Sequence, residues 1–302
     1  MSVPLSVLIP VKNEAAHITA CIESVSWAGE VVLADSGSTD GTAEMACSLG
    51  ARAVQFRYQP GGPKKKNWAL ENYPFRHDWI LILDADERIT HALAQEIAGV
   101  VAAGTEHSGF YINRRNFFAG RWMRHAGYYP SWNLRLLRRG RARYELLPET
   151  GAGAGDNEVH EHVLVDGSIG RLQNPMDHFA YRNVQEFVEK HNRYSNWEAA
   201  QGSKLFEKLE NDSSSQEIDG ALNRKRQLKR LARQFPFPHW LRFAYHYWLK
   251  KGFLDGAEGY IFCHLLAEYE FWIWAKGRLT RTAGGLMHEP ARPARFQAGS
   301  TP

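Results

Sequence analysis

The chain has 302 residues, with 37 Lys and Arg against 33 Asp and Glu, 13 His, 3 Cys and 10 Trp. At 44% hydrophobic and 23% charged it can bury a real core, which excludes global disorder, and its length suits one large domain or a domain with a sizeable appendage. Cys21, Cys47 and Cys263 show no CxxC or Cys/His finger spacing, which argues against a disulfide framework or a structural zinc site; they are read as packing residues in a reducing cytosol.

The first apolar run, residues 5–10 (LSVLIP), is of strand length and has no basic residue before it, so it is not read as a secretory signal. Residues 30–34 (EVVLA) and 79–83 (WILIL) share its Val, Ile and Leu content, the pattern of strands buried on both faces. Helices are predicted between them over 15–27, over 42–49 after the capping-type Ser38-Thr39-Asp40, and over 64–71 with Pro63 at the start. This alternation predicts an α/β fold with a right-handed, mostly parallel sheet flanked by helices, and ligands in the crevice beyond the strands' carboxyl ends.

The residues at those ends are mostly acidic: Val11-Lys12-Asn13-Glu14, then Asp35-Ser36-Gly37-Ser38, then Asp84-Ala85-Asp86-Glu87. No GxGxxG and no GxxxxGK[ST] is present, so neither a dinucleotide fold nor a P-loop is indicated. A carboxylate-lined crevice that binds an anionic nucleotide needs a cation between them. Mg2+ and Mn2+ take oxygen ligands and keep substrate phosphates in their shell.

Residues 109–180 read as strands and loops, clearest at 109–113, at 133–137 and in a hairpin of 159–165 and 168–172 turning at Asp166-Gly167. Nine arginines and no acid lie between 110 and 144. From 183 the pattern is helical, broken at 211–215 (NDSSS), the best linker candidate. Phe237, Trp240, Leu241, Ala244, Tyr247 and Trp248 then form an apolar stripe behind the basic residues Arg224, Lys225, Arg226, Lys229, Arg230 and Arg233. Such a stripe is either buried core or a helix lying on an anionic membrane surface. The apolar stretch 260–275 is interrupted by His264, Glu268 and Glu270, so no bilayer span is predicted.

The series 8–14 (LIPVKNE), 32–42 (VLADSGSTDGT), 66–70 (KNWAL) and 84–87 (DADE) resembles glycosyltransferase family 2 in order and spacing over about the first 90 residues. Val159-His160-Glu161, His178 and 252–256 (GFLDG) resemble a bacterial subgroup that includes lipopolysaccharide inner-core glucosyltransferases. The resemblance implies a GT-A fold and a metal-dependent, inverting transfer of a sugar from a nucleotide diphosphate to an acceptor hydroxyl. It implies that Pro10, Val11, Asn13 and Glu14 line the base and ribose pocket and that Asp35 contacts a uracil-like base. Ser36, Gly37 and Ala85 join this substrate-binding set, Lys66 lies near the nucleotide, Asp84 near ribose or metal, and Asp86 is the direct metal ligand. His178 either completes the metal shell, as a late histidine does in some GT-A enzymes, or is a hydrogen-bonded core histidine.

Elementary chemistry agrees with these roles. Residues i and i+2 of an extended segment share a side, so Asp84 and Asp86 can face one ion. A cation there stabilises the charge gained by a departing diphosphate, and the acceptor hydroxyl needs one base on the opposite face. Glu161 is the candidate base because strand alternation from Val159 sets it on the same face as Val163 and Val165; Asp156 and Glu158 are its rivals.

The expectation is therefore a nucleotide-sugar-binding and catalytic domain over 1–180 and a C-terminal helical region over 181–302 with an acceptor or membrane-surface role. Its expected donor is a UDP-hexose and its acceptor a lipid-linked or cell-envelope glycan such as lipopolysaccharide core. Its expected place is the cytoplasm, with the inner face of the cytoplasmic membrane as a peripheral site. The alternatives are a basic nucleic-acid-binding protein, which leaves the acidic strand ends unexplained, and a catalytically inactive membrane-surface scaffold of the same fold. Nucleic acid is not an expected partner.

Overall fold

A computed structural model of the chain describes residues 2–59, 62–145, 162–211 and 238–282. Strands β1 (Val3–Val11), β2 (Ala28–Asp35), β3 (Arg52–Gln55) and β4 (Trp79–Ile82) lie parallel in the order β3-β2-β1-β4. Their side chains alternate between two cores. Leu5, Val7, Ile9, Leu33 and Leu81 enter one cluster, while Leu8, Val32, Ala34, Ile80 and Ile82 enter the other. Burial on both faces is why these strands carry unbroken apolar runs.

Helices α1 (Ala15–Ser24), α2 (Thr42–Ser48) and α3 (Lys65–Asn72) make the crossovers, close to their predicted bounds. The chain leaves β1 for β2 on one side and returns to β4 on the other. The carboxyl ends of β1 and β4 therefore flank a topological switch point, where open α/β sheets bind ligands.

Beyond β4 the sheet becomes mixed. A short β5 (Glu87–Arg88) leads to α4 (His91–Ala103), then β6 (Gly109–Phe118), β7 (Arg121–Trp122), β8 (Trp132–Arg138), β11 (Ile169–Arg171) and β12 (Met176–Tyr181). The ten-stranded sheet continues β4-β8-β6-β12-β5, with β8 antiparallel to both its neighbours and β12 parallel to β6. A separate hairpin pairs β9 (Ala142–Tyr144) with β10 (Val163–Val165). The sequence reading did not assign α4, although Thr90 caps it by accepting a bond from Leu93 N and Leu93 and Ile97 bury one stripe.

Helices α5 (Val184–Asn211), α6 (Pro238–Ala244) and α7 (Gly256–Thr282) complete the described chain, with a π-turn over Tyr245–Leu249 and a 3-10 turn over Gly252–Asp255. Helix α5 runs through Asn211, the first residue of the predicted linker; 212–215 lie outside the described residues. Phe118, Met123, Phe187, Phe262 and Leu266 form a third cluster that joins β6, α5 and α7. Cys21 and Cys263 are buried as expected, but Cys47 is exposed. Among the described residues, no helix is long and apolar enough to cross a membrane.

Phe187 is fully buried, stacks on His191 at 3.7 Å and meets the rings of Phe118 and Phe262 at 6.3 and 6.0 Å. Removing a ring from such a contact leaves a cavity. Phe187→Ala is expected to cost about 3–5 kcal/mol, read as a lower denaturant midpoint in urea unfolding.

Candidate active site

The loops after β1 and β2 are stitched together before any ligand arrives. Ser38 Oγ accepts from Asn13 N at 2.9 Å, Asn13 Oδ1 accepts from Thr39 N at 2.9 Å, and Thr42 Oγ1 accepts from Glu14 N at 2.9 Å. Asp40 accepts from Ala15 N at 3.0 Å, so an acid on the second loop occupies the N-terminus of α1. Asn13 (φ 56) and Gly37 (φ 79) take left-handed backbone to turn the two loops. Asp35 is buried, with its carboxylate engaged by Ser38 N, Ser38 Oγ at 2.6 Å and Gln55 Nε2 at 3.0 Å. Val11 is buried, Pro10 pairs with Ala34, and the Val11 carbonyl accepts from Ser36 N at 3.1 Å and Lys65 Nζ at 3.0 Å.

At the end of β4 the chain turns, with Glu87 N donating to Asp84 O at 2.9 Å. Glu87 is fully buried; its Oε2 accepts from Asp84 N at 2.9 Å, and its Oε1 accepts from Arg135 Nη2 at 2.6 Å and Arg114 Nη1 at 3.3 Å. Arg135 reaches on to Asp84 Oδ2, and Lys66 Nζ lies 3.3 Å from Asp84 Oδ1. Burial opposes ionisation of Asp84, but Arg135 and Lys66 outweigh it and hold the carboxyl well below the usual range. Asp84 thus meets two cationic side chains. Ala85, between the two aspartates, packs its side chain into the core, which leaves its backbone as the part that faces the turn.

Asp86 Oδ1 lies 3.4 Å from His178 Nε2, and Lys190 Nζ donates to Asp86 Oδ2 at 3.2 Å. Burial again opposes ionisation, yet His178 and Lys190 keep Asp86 well below the usual carboxyl range. The histidine's orientation follows from its neighbour. Asn116 Nδ2 donates to Tyr128 O at 3.0 Å, which turns Asn116 Oδ1 toward His178 Nδ1 at 2.8 Å. Nδ1 is then the donor, and Nε2 is the nitrogen presented to Asp86. A cavity of about 140 Å³ opens behind this pair, lined by Arg114, Asn116, His178, Phe117, Tyr128 and Tyr181.

Among the described residues, no three His, Cys, Asp or Glu side chains gather in metal-ligand geometry. The donor set that is present still suits a hard divalent cation. Asp86 and His178 bring one oxygen and one nitrogen within 3.4 Å of each other, and an ion held between them would take its remaining ligands from water and phosphate. Of the three residues expected at a metal, Asp86 and His178 come together, while Asp84 is held by Arg135 and Lys66.

Glu161, Asp156 and Glu158 lie outside the described residues. Beside them, Val163 and Val165 do pack inward and Leu164 is exposed, as the alternation predicted. The predicted pairing of this strand with 168–172 is not found among the described residues: Val163–Val165 pairs with β9, and Ile169–Arg171 runs parallel to β6. Strand β9 is clamped by Asn67, whose amide exchanges bonds of 2.9 and 2.8 Å with Tyr144 O and N. The GFLDG residues also act on a loop: Asp255 is buried and accepts from His125 N at 2.8 Å, with His125 Nδ1 at 2.7 Å.

Sequence reasoning missed Arg135, Asn116, Lys190 and Glu87 as members of the site. Of the nine arginines between 110 and 144, six pair with carboxylates: Arg114, Arg115, Arg121, Arg135, Arg139 and Arg141. The run is therefore divided: Arg114 and Arg135 serve the buried Glu87, while Arg121, Arg139 and Arg141 make surface ion pairs.

The parallel sheet with its first two βα loops hydrogen-bonded together and an acidic turn after β4 is the architecture of a glycosyltransferase fold. The family model for glycosyl transferase family 2 matches residues 6–157. The chain belongs to glycosyl transferase family 2. It is 35% identical over 208 residues, 66% of this chain and 71% of the relative, to the lipopolysaccharide core biosynthesis glycosyltransferase LpsC of Rhizobium meliloti (strain 1021). It is 28% identical to an uncharacterized glycosyltransferase of Rickettsia felis, over 68% of this chain and 73% of that one. Among solved structures, glucosyl-3-phosphoglycerate synthase of Mycobacterium tuberculosis, in complex with Mn2+, UDP and glucosyl-3-phosphoglycerate, matches with 27% identity and a TM-score of 0.29. That match covers 38% of this chain and 43% of the synthase, less than half its length.

Glu14 supplies a pH test. Burial and the nearby Asp86 push its carboxyl up from 4.5 to about 7, against the opposing pull of Lys190. Below pH 4.5 folded and unfolded chains are both protonated here. Between 4.5 and about 7 the unfolded chain ionises while the folded one holds its proton, so this group's contribution to stability falls as pH rises. In metal-free buffer Glu14→Gln is expected to gain up to about 3 kcal/mol over wild type at about pH 8 and nothing at pH 4.5, read from urea midpoints. A pH-independent difference would reject this account.

Proposed function

We propose that the protein transfers a hexose, with inversion, from a nucleoside diphosphate sugar, most simply a UDP-sugar, to a hydroxyl of a lipid-linked or cell-envelope glycan such as lipopolysaccharide core. The observation that carries this reading is the pairing of Asp86 and His178 at the switch point, beside Glu14 and across from the Lys66–Asp84–Arg135 group. The named activity of LpsC supports the choice of acceptor class.

On this reading the stitched loops of Pro10, Val11, Asn13, Glu14, Asp35, Ser36 and Gly37 receive the base and ribose. Asp86 and His178 would hold Mg2+ or Mn2+, with Asp84 completing the acidic turn. When bound, the ion supplies charge neutralisation for the departing diphosphate. Lys66, Arg135 and Lys190 already stand on the aspartates and are placed to share that charge. Asn116 keeps His178 Nε2 turned toward Asp86. Glu161 is the proposed base that takes the acceptor proton. Residues 1–180 form the donor-binding and catalytic part, 181–302 the acceptor or membrane-surface part, and the protein works in the cytoplasm.

Melting curves with UDP, with Mn2+ and with both test the reading. A joint shift larger than either alone is expected in wild type and is abolished in Asp86→Ala; a joint shift that survives in that variant removes the metal assignment. Glu161→Gln is expected to lower kcat by about 10²–10⁴ while the joint shift persists, as measured by sugar transfer or donor hydrolysis. If the rate is unchanged, another group is the base.

A further inference from the structure

Of the predicted apolar stripe and the basic cluster before it, Phe237 and residues 224–233 lie outside the described residues, and the rest of the stripe divides. Tyr247 turns inward onto Tyr260 at 5.6 Å and stacks at 5.1 Å on Phe243, a residue outside the predicted stripe that lies on His264 at 4.3 Å. His246 is buried, with Nδ1 2.7 Å from Ala126 O. The outer face is apolar as well. Trp240, Trp248 and Leu249 are 63%, 64% and 70% exposed, and Leu241, Phe253 and Leu254 stand out beside them. An amphipathic helix on a water-facing surface carries polar residues on its outer side; this segment does not.

Charge selects the occupant. Residues 238–254 contain no Asp or Glu, while Lys250 and Lys251 are both exposed at the turn after Leu249. Lys251 takes a left-handed backbone (φ 59), and Lys250 lies over the Tyr245 ring at 5.4 Å. A second copy of this chain would bring the same cations against them. Negative headgroups above a hydrocarbon layer match both features, and Trp and Tyr favour that boundary.

We propose that the surface of Trp240, Leu241, Trp248, Leu249, Phe253 and Leu254, rimmed by Lys250 and Lys251, seats the protein on a bilayer bearing anionic headgroups. The surface is joined to the candidate site through one loop: Lys250 O accepts from Ala126 N at 3.0 Å, Asp255 holds His125, and Asn116 O accepts from Met123 N at 2.8 Å. Seating on lipid therefore sets the 123–128 loop, and with it Asn116 and His178, close to the membrane plane. That a lipid-linked acceptor is met there rests on the proposed transfer activity; the lipid contact itself does not.

The test is sedimentation of the full chain with vesicles of phosphatidylcholine alone and of a phosphatidylcholine–phosphatidylglycerol mixture. Wild type is expected to bind the mixed vesicles and to release in high salt. The double variant Trp248→Ser/Leu249→Ser is expected to bind at least roughly tenfold more weakly, with its circular dichroism and its UDP–Mn2+ melting shift unchanged. Lys251→Ala is expected to weaken binding to the mixed vesicles by about fivefold without affecting phosphatidylcholine alone. Absence of wild-type binding, or equal binding by the serine variant, overturns the proposal. So does a wild-type dimer that the serine substitutions dissociate while vesicles are ignored. Vesicle binding without any nucleotide-dependent shift leaves this surface standing and counts against the transfer reading alone.

Discussion

A carboxyl group with no access to water is tolerated only when cations and donors enclose it, and Glu87 is so enclosed. Its partners come from three separate elements: Arg135 from β8, Arg114 from β6 and the amide of Asp84 from the turn itself. Because all three must converge, the turn after β4 has little freedom. That constraint explains why Asp84 points to Arg135, why Ala85 enters the core, and why Asp86 emerges beside the β12 histidine. The β12 register reinforces it, since His178 pairs with Glu87 on one side and Asn116 on the other.

The same network gives the recess its electrostatic character. Asp84 has Lys66 and Arg135, and Asp86 has Lys190 with the ring of His178. A divalent ion with a diphosphate brings nearly balanced charge of its own, so on the proposed reading arrival exchanges partners and leaves the local net charge little altered. Glu14 is the group left with the weakest compensation, which is why it alone among these acids is pushed up.

The parallel half of the fold was legible because strands buried on both faces advertise themselves as Val, Ile and Leu runs. The loop residues were legible because ligand chemistry at strand ends concentrates acids and glycines in a fixed order. Arg135 was hidden inside a basic run that local charge cannot divide into surface and interior. Lys190 and Asn116 come from elements about 100 and 30 residues downstream of Asp86, and nothing in their immediate sequence points back to it. The aromatic stripe was recognised, but its division into an inward and an outward face depends on the π-turn at Tyr245–Leu249, whose wider winding a 3.6-residue period does not anticipate. Glu161 lies outside the described residues, and only the alternation of its neighbours Val163, Leu164 and Val165 is seen.

Two glycines determine how the C-terminal segment holds together. A methyl group at Gly259 would collide with the carbonyl oxygen of Gly252, and one at Gly252 would lie 2.6 Å from Cys263 Sγ. The 3-10 turn and the first coils of α7 are thus interlocked backbone to backbone. A side chain larger than hydrogen at either position would push the turn off the helix and carry Asp255, with its hold on His125, out of place.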